Sequence, residues 1–222
     1  MSKVLVVAAH PDDETLGCGG TLLRHRAEGD VLHWLIATET TPEVGGTPER
    51  VAARDREIVA ATSHFDFAGV HRLGFASARL DVVPRAQLVG AIASVIGLAM
   101  PETIYVPFRG DIHSDHAAVA DACVAAAKRF RQMSVRRIRA YETLSETEFQ
   151  VSPGIPPFQP NLFIDISPYL ESKIAAMRIY VSEMGVSPFP RSEETIRALA
   201  TTRGSTAGYF AAEAFMTLRE FV

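Results

Sequence analysis

The sequence is poor in cysteine, in surplus positive charge and in long apolar runs. Two cysteines, Cys18 and Cys123, in 222 residues exclude a disulfide framework of the kind that staples small secreted domains. Lysine and arginine number 22 against 26 aspartates and glutamates, a formal net charge of −4. Nothing is in excess to neutralise a phosphate backbone, so nucleic acid is not an expected partner. The longest apolar stretch, near Val89–Met100, is too short and too interrupted to cross a bilayer, and no transmembrane segment is expected. Met1–Lys3 leads directly into a strand-like segment with no signal-peptide layout, which predicts a cytoplasmic protein. What the chain does have is core material: 47% hydrophobic and 22% charged residues, ordinary for a globular protein. A chain of this length buries a substantial core without disulfides or metal, and a single domain over residues 1–222 is expected.

Short β-branched runs alternate with longer amphipathic segments. Val4–Ala9 is continuously apolar, as a strand buried on both faces should be. A helix is predicted over Leu16–Ala27, stopped by Gly29, and a strand over Val31–Ala37. Thr38–Thr47 is polar and reads as a loop. Pro48 suits the first turn of a helix running to about Ser63. A short strand follows at Val70–Leu73. A helix opens at Pro84 with an apolar stripe of Leu88, Ile92, Val95 and Ile96. Thr103–Val106 and Arg137–Tyr141 read as strands flanking an alanine-rich helix over Asp115–Phe130. Asn161–Ile166 reads as a strand, Ser167 or Pro168 starts a helix, Ser192–Thr201 is another, and Ala212–Phe221 is ambiguous between strand and helix. The alternation predicts an α/β fold: a Rossmann-like three-layer sandwich around a mostly parallel sheet.

The chemistry gathers at two strand ends, where open α/β sheets bind ligands. After the first strand comes His10-Pro11-Asp12-Asp13-Glu14. After the fourth comes a loop with Arg109, Asp111, His113, Asp115 and His116. Two imidazoles and one carboxylate form a three-ligand set for a catalytic zinc, with a position open for water. Each string also has a plainer reading, as a polar turn with acidic residues suited to a helix N-terminus or as loop histidines. Their joint location at strand ends favours the site.

These residues carry a family resemblance. His10-Pro11-Asp12-Asp13-Glu14 followed by Gly17 and Gly19-Gly20-Thr21-Leu22 resembles the opening signature of the PIG-L/LmbE-like zinc-dependent N-deacetylases. His113-Ser114-Asp115-His116 is similar to the family's second motif, His-x-x-His, about a hundred residues on. Arg54 and Glu57 resemble its Arg-x-x-Glu helix, and Leu73-Gly74 also matches. The resemblance implies a metal-dependent hydrolase that removes an acetyl group from an N-acetylglucosamine-type amino sugar or its conjugate. It implies His10, Asp13 and His116 as ligands of Zn2+, with Fe2+ as the alternative ion in the cell. It makes Asp12 the general base on the metal-activated water. His113 becomes the acid or oxyanion partner, with Asp115 orienting its ring. Arg54, Glu183 and Arg191 become substrate contacts. The expected partner is a small amino-sugar molecule, and a homo-oligomer is an admissible assembly.

The sequence departs from the family where many relatives carry an Asp-Gly or Asp-Asn pair after Leu-Gly. Here Phe75-Ala76-Ser77-Ala78-Arg79 stands instead, with Asp81 nearby, and Glu183 stands where some relatives carry glutamine. Rival readings are hydrolysis of a formyl or non-sugar acyl amide, a magnesium phosphohydrolase, and a non-catalytic sugar- or nucleotide-binding module. The two imidazoles argue against magnesium, which prefers an all-oxygen shell. The Gly17–Gly20 glycines read as close helix–strand packing rather than a dinucleotide loop. Cys18, Cys123 and Trp34 read as core, and Arg203 as a turn-flanking cation open to salt bridging.

Overall fold

The computed structural model describes residues 1–222. Strand β1 is Lys3–Ala8, and Val4 through Ala9 are fully buried because the strand lies mid-sheet with helices on both faces. Its alternation divides the core. Val4, Val6 and Ala8 join one cluster with Trp34, Phe65 and Phe215. Leu5, Val7 and Ala9 join the other with Ile92, Ile96 and Val119.

The remaining elements are helix α1 (Asp13–Ala27), strand β2 (Val31–Glu39), α2 (Pro48–Phe65), β3 (Gly69–Ala76), α3 (Arg85–Ala99) and β4 (Thr103–Pro107). Then come α4 (Ser114–Ala126), β5 (Arg137–Tyr141), β6 (Leu162–Asp165), α5 (Leu170–Met177), α6 (Glu193–Ala207) and β7 (Ala212–Glu220). One seven-stranded sheet has the order β3-β2-β1-β4-β5-β7-β6. β1 to β5 pair in parallel, and β7 runs antiparallel to both its neighbours. Buried residues of α1, α2, α5 and α6 pack on one face and those of α3 and α4 on the other, which gives the expected three layers. The chain winds outward from β1 to β3, then returns to β4 on the other side. The order therefore reverses between β1 and β4, the switch point at which such sheets bind ligands.

Several boundaries differ from the sequence reading. α1 begins at Asp13, three residues earlier than Leu16, because the Asp12 carbonyl accepts from the amides of Thr15 and Leu16 at 3.0 and 2.9 Å. The first helical turn therefore carries Asp13 and Glu14, both buried. β2 continues through Thr38 and Glu39, which pair with Phe75 and Ala76 of a longer β3. α4 stops at Ala126 rather than Phe130. α6 runs on to Ala207, where Gly208 closes it in the left-handed conformation (φ 78°). The ambiguous tail is a strand, since β5 and β6 each leave an edge that only an extended segment can pair. Close packing explains two glycines of α1: a Cβ on Gly17 would lie 2.0 Å from the Tyr141 ring, and one on Gly20 2.7 Å from Ile166. Cys18, Cys123 and Trp34 are fully buried. No helix is long and apolar enough to cross a membrane.

Candidate active site and metal centre

The loop after β1 is held in an unusual shape. Asp12 has φ 131°, a conformation that side-chain-bearing residues rarely adopt. Glu14 holds it there, since its Oε2 accepts the Asp12 amide at 3.0 Å while Oε1 accepts from Thr15 Oγ1 and the Tyr180 hydroxyl. Burial pushes the Glu14 carboxyl up to about 7. This bracing turns the Asp12 and Asp13 side chains toward the end of the sheet, where α4 brings the second motif.

His10, Asp13 and His116 each offer one ligand atom, and these atoms lie within 4.8 Å of one another. Asp13 Oδ1 is 3.3 Å from His116 Nε2 and Asp13 Oδ2 is 3.7 Å from His10 Nδ1. The His116 Nε2 is buried without a hydrogen-bond partner, a state that a buried polar atom rarely keeps without a ligand. Its other nitrogen, Nδ1, donates to Asp111 Oδ2 at 2.8 Å, and Thr147 Oγ1 holds Asp111 Oδ1 at 2.6 Å. Such a carboxylate fixes the tautomer of a metal-ligating histidine. Burial works against charge on His116, but Asp13 and Asp111 outweigh it and raise the ring well above the usual histidine value. Burial likewise opposes the Asp13 charge, and His116 and His10 overcome it, so the carboxyl stays well below its ordinary range. The donor set and the field both fit a divalent cation such as zinc.

The Asp115 carboxylate does not reach the His113 ring, whose orientation the resemblance implies it would set. Instead His10 Nε2 donates to Asp115 Oδ2 at 3.1 Å, and the amides of Ala78 and Leu80 donate to its two oxygens at 2.7 and 3.1 Å. Burial alone would raise Asp115, but His10 and those two amides hold it below the usual value. What reaches His113 is the Asp115 backbone amide, which donates to Nδ1 at 3.2 Å. Burial first, then the neighbouring His10, lowers His113 to about 4. The ring is therefore a neutral imidazole with its proton on Nε2, which suits the oxyanion partner rather than the acid.

Asp12 stands beside the ligand group, buried, with Oδ2 at 2.7 Å from Arg191 Nη1. Burial and the adjacent Asp13 raise its carboxyl well above the ordinary value, with Arg191 opposing. A cleft of about 230 Å³ opens over these residues, lined by His10, Asp12, Arg54, His113, Glu183 and Arg191, with Pro11 as its one non-polar side chain. Arg54 pairs with Glu183 and with Glu57 at 3.1 Å. Arg191 Nη1 also reaches Glu183 at 3.2 Å, and Nη2 reaches Glu146 at 3.3 Å. Glu183 thus lies between two guanidiniums contributed by distant elements.

All nine residues proposed from the sequence lie at this end of the sheet, though Asp13, Asp115 and His116 sit beneath the cleft rather than on its wall. Arg203 instead makes a bidentate pair with Glu142 at 2.8 and 2.6 Å. The exposed Arg109 pairs with Asp121, and Asp81 is exposed on the short 3-10 helix Leu80–Val82. The sequence reading gave no role to Asp111, Glu14 or Glu146. Asp111 had a signal in its place five residues before His116. Glu146 had none, since it arrives on the loop after β5.

The sequence profile of the GlcNAc-PI de-N-acetylase family, PIG-L, matches residues 5–127, the stretch that contains both motifs. The chain is 29% identical to the 1D-myo-inositol 2-acetamido-2-deoxy-alpha-D-glucopyranoside deacetylase of Mycobacteroides abscessus, over 83% of this chain and 82% of that protein. It is 25% identical to the diacetylchitobiose deacetylase of Thermococcus kodakarensis, over 96% and 82%. The conserved protein TT1542 from Thermus thermophilus superposes with a TM-score of 0.79 at 30% identity, covering 100% of this chain and 97% of that one. A 4-carboxy-2-hydroxymuconate hydratase from Pseudomonas putida shares the fold at TM-score 0.76 and 18% identity, covering 100% and 98%. The fold alone therefore does not set the reaction, and the side chains must. With both motifs inside the matched stretch and assembled at the switch point of the sheet, the chain belongs to the GlcNAc-PI de-N-acetylase (PIG-L) family.

Proposed function

We propose that this protein is a metal-dependent N-deacetylase that removes the acetyl group from an N-acetylglucosamine-type amino sugar or its conjugate, with zinc as its ion. The observation that carries this reading is the partnerless, buried His116 Nε2 beside Asp13, in one group with His10 at the foot of a predominantly polar cleft. His10 Nδ1, an Asp13 oxygen and His116 Nε2 would hold the metal. When bound, the ion supplies a nucleophile from water at neutral pH and polarises the amide carbonyl.

The remaining chemistry belongs to the chain. Asp12 accepts a proton from the attacking water and is the base nearest the ligand group. Arg191 occupies Oδ2, which leaves Oδ1 for the transfer. Its raised pKa brings the carboxyl closer to the working pH, where a general base is most effective. His113 donates from Nε2 to the carbonyl oxygen as negative charge grows there, since its Nδ1 is committed to the Asp115 amide. The leaving amine takes its proton from Asp12 in the second half of the reaction. Arg54, Glu183 and Arg191 offer charged donors and acceptors to sugar hydroxyls, which suits a predominantly polar cleft. The named activities of the M. abscessus and T. kodakarensis relatives support the amino-sugar class.

The test is release of acetate from a panel that includes the N-acetylglucosaminyl inositol and diacetylchitobiose, alongside metal analysis of protein purified without added metal. At least one amino-sugar conjugate should release acetate. Asp12→Asn should retain its metal and lose ~10²–10⁴ in kcat, the usual range for general acid–base catalysis. Absence of acetate from every N-acetylated sugar would sink the substrate class. Loss of metal from Asp12→Asn would make Asp12 a ligand instead of the base.

A further inference from the structure

Helix α1 is broken one turn after the metal ligand Asp13. Cys18 leaves the helical conformation, with φ −145° and ψ 21°, and two side chains from the other end of the chain occupy the break. In a regular helix the Leu16 carbonyl and the Gly20 amide would be partners. Here the Leu16 carbonyl accepts from Lys173 Nζ at 2.8 Å, and the Gly20 amide donates to Glu213 Oε1 at 2.9 Å. The Thr21 amide donates to Glu213 Oε2 at 2.7 Å. Lys173 Nζ closes the circuit on Glu213 Oε1 at 2.6 Å. Lys173 and Glu213 are 4% and 5% exposed, so the pair is buried and every one of these contacts is shielded from water.

A side chain inserted into the helix ladder is a recognised cause of a sharp bend. The arrangement gives the first turn, Asp13–Gly17, a cationic end-cap at Leu16 and gives the following segment an anionic cap at Gly20 and Thr21. Each charge suits the helix end it meets. The first turn is thereby a separate, rigid piece carrying Asp13, Glu14 and the adjoining Asp12. Its direction is set by where Lys173 on α5 and Glu213 on β7 stand, rather than by the remainder of α1.

We propose that Lys173 and Glu213 are positioning residues: the buried pair holds the break in α1, and through it the aim of Asp12 and Asp13 at the metal site. The inference rests on the metal-centre reading above. Neither residue touches the ligand group or the cleft, so their effect on the site passes only through the first turn of α1.

Two variants separate positioning from simple stability. Glu213→Gln keeps acceptor oxygen for Gly20 or Lys173 and leaves the Lys173–Leu16 contact in place. Lys173→Met/Glu213→Gln keeps the packed volume but removes the donor that spans the break. Zinc affinity is measured by competition with a chromogenic chelator, and folding by circular dichroism at 25 °C. The double variant should fold, bind zinc at least tenfold more weakly than wild type, and lose kcat with little change in KM. Glu213→Gln should stay within about threefold of wild type in zinc affinity. A double variant with wild-type zinc affinity and kcat, or one that does not fold, overturns the proposal and makes the pair a stability element. Equal loss in both variants also overturns it, because the Lys173–Leu16 contact that spans the break would then contribute nothing to the site. Wild-type protein that binds no zinc would count against the metal-centre reading itself, a separate outcome.

Discussion

Arg191 and Asp12, 179 residues apart in the sequence, meet at 2.7 Å between Nη1 and Oδ2. The guanidinium is the counter-charge to a carboxyl that burial and Asp13 drive upward. Removing it in Arg191→Gln takes away the main influence that opposes those two, so the Asp12 pKa should rise further. A base must be deprotonated to act, so the acid limb of kcat/KM should move to higher pH. Each unit of movement lowers the rate about tenfold at pH values below the limb. A pH profile of the variant at saturating metal checks this, and an unmoved acid limb would show that Asp12 is not the group being titrated.

The Asp115 carboxylate holds His10 rather than His113. Asp115→Asn should therefore act on the metal, weakening its affinity by roughly 10–100-fold, the range seen when such supporting contacts are removed. The His113 ring, held by the Asp115 backbone amide rather than its carboxylate, should keep its role, so kcat at saturating metal should change little. Chelator competition and kcat at saturating metal together decide the matter. A fall in kcat at saturating metal with unchanged metal affinity would restore the His113 assignment.

Ala78 adopts φ 56° while its amide donates to Asp115. A side-chain-bearing residue in this left-handed region is disfavoured by about 1–2 kcal/mol, whereas glycine adopts it freely but loses more entropy on folding. Ala78→Gly should thus leave stability unchanged or raise it by up to about 1 kcal/mol, with metal binding retained because the amide remains. Denaturant unfolding gives the answer. A loss above about 1 kcal/mol would mean that the Ala78 methyl contributes packing that outweighs the backbone relief.

His33 and His71 stack across β2 and β3 with ring centroids 5.6 Å apart and Nδ1–Nε2 at 3.4 Å. Burial lowers both, and His33 is lowered further by His71 and Lys3. The folded protein binds protons here less readily than the unfolded chain does. Stability should therefore fall as pH drops below about 6.5, the unperturbed histidine value, and go on falling through the lower native values. His71→Gln removes one of the two groups and should flatten the decline between about pH 7.5 and 5.5. Thermal melts across that range measure it, and an identical decline in the variant would place the acid sensitivity elsewhere.

The α/β class and the parallel β1–β5 half were legible in residue order because buried parallel strands write themselves as continuous apolar runs. Residues such as Val4–Ala9 need no neighbour to be recognised. The metal candidates were legible too, since His10, Asp13 and His116 lie in two compact strings. Contacts between distant segments were not. Nothing local marks Ala212–Glu220 as a strand: its conformation depends on the edges that β5 and β6 present. Nothing in His113-Ser114-Asp115-His116 shows that the Asp115 carboxylate turns to His10, because a side chain's partner is set by which atoms the fold brings within about 3 Å. The Arg191–Asp12 and Lys173–Glu213 pairs lie beyond local pattern for the same reason. Short-range periodicity and motif spacing depend on the residues themselves, and these the sequence determined. The hydrogen-bond partners of buried charges depend on burial and three-dimensional proximity, and those only the tertiary structure decided.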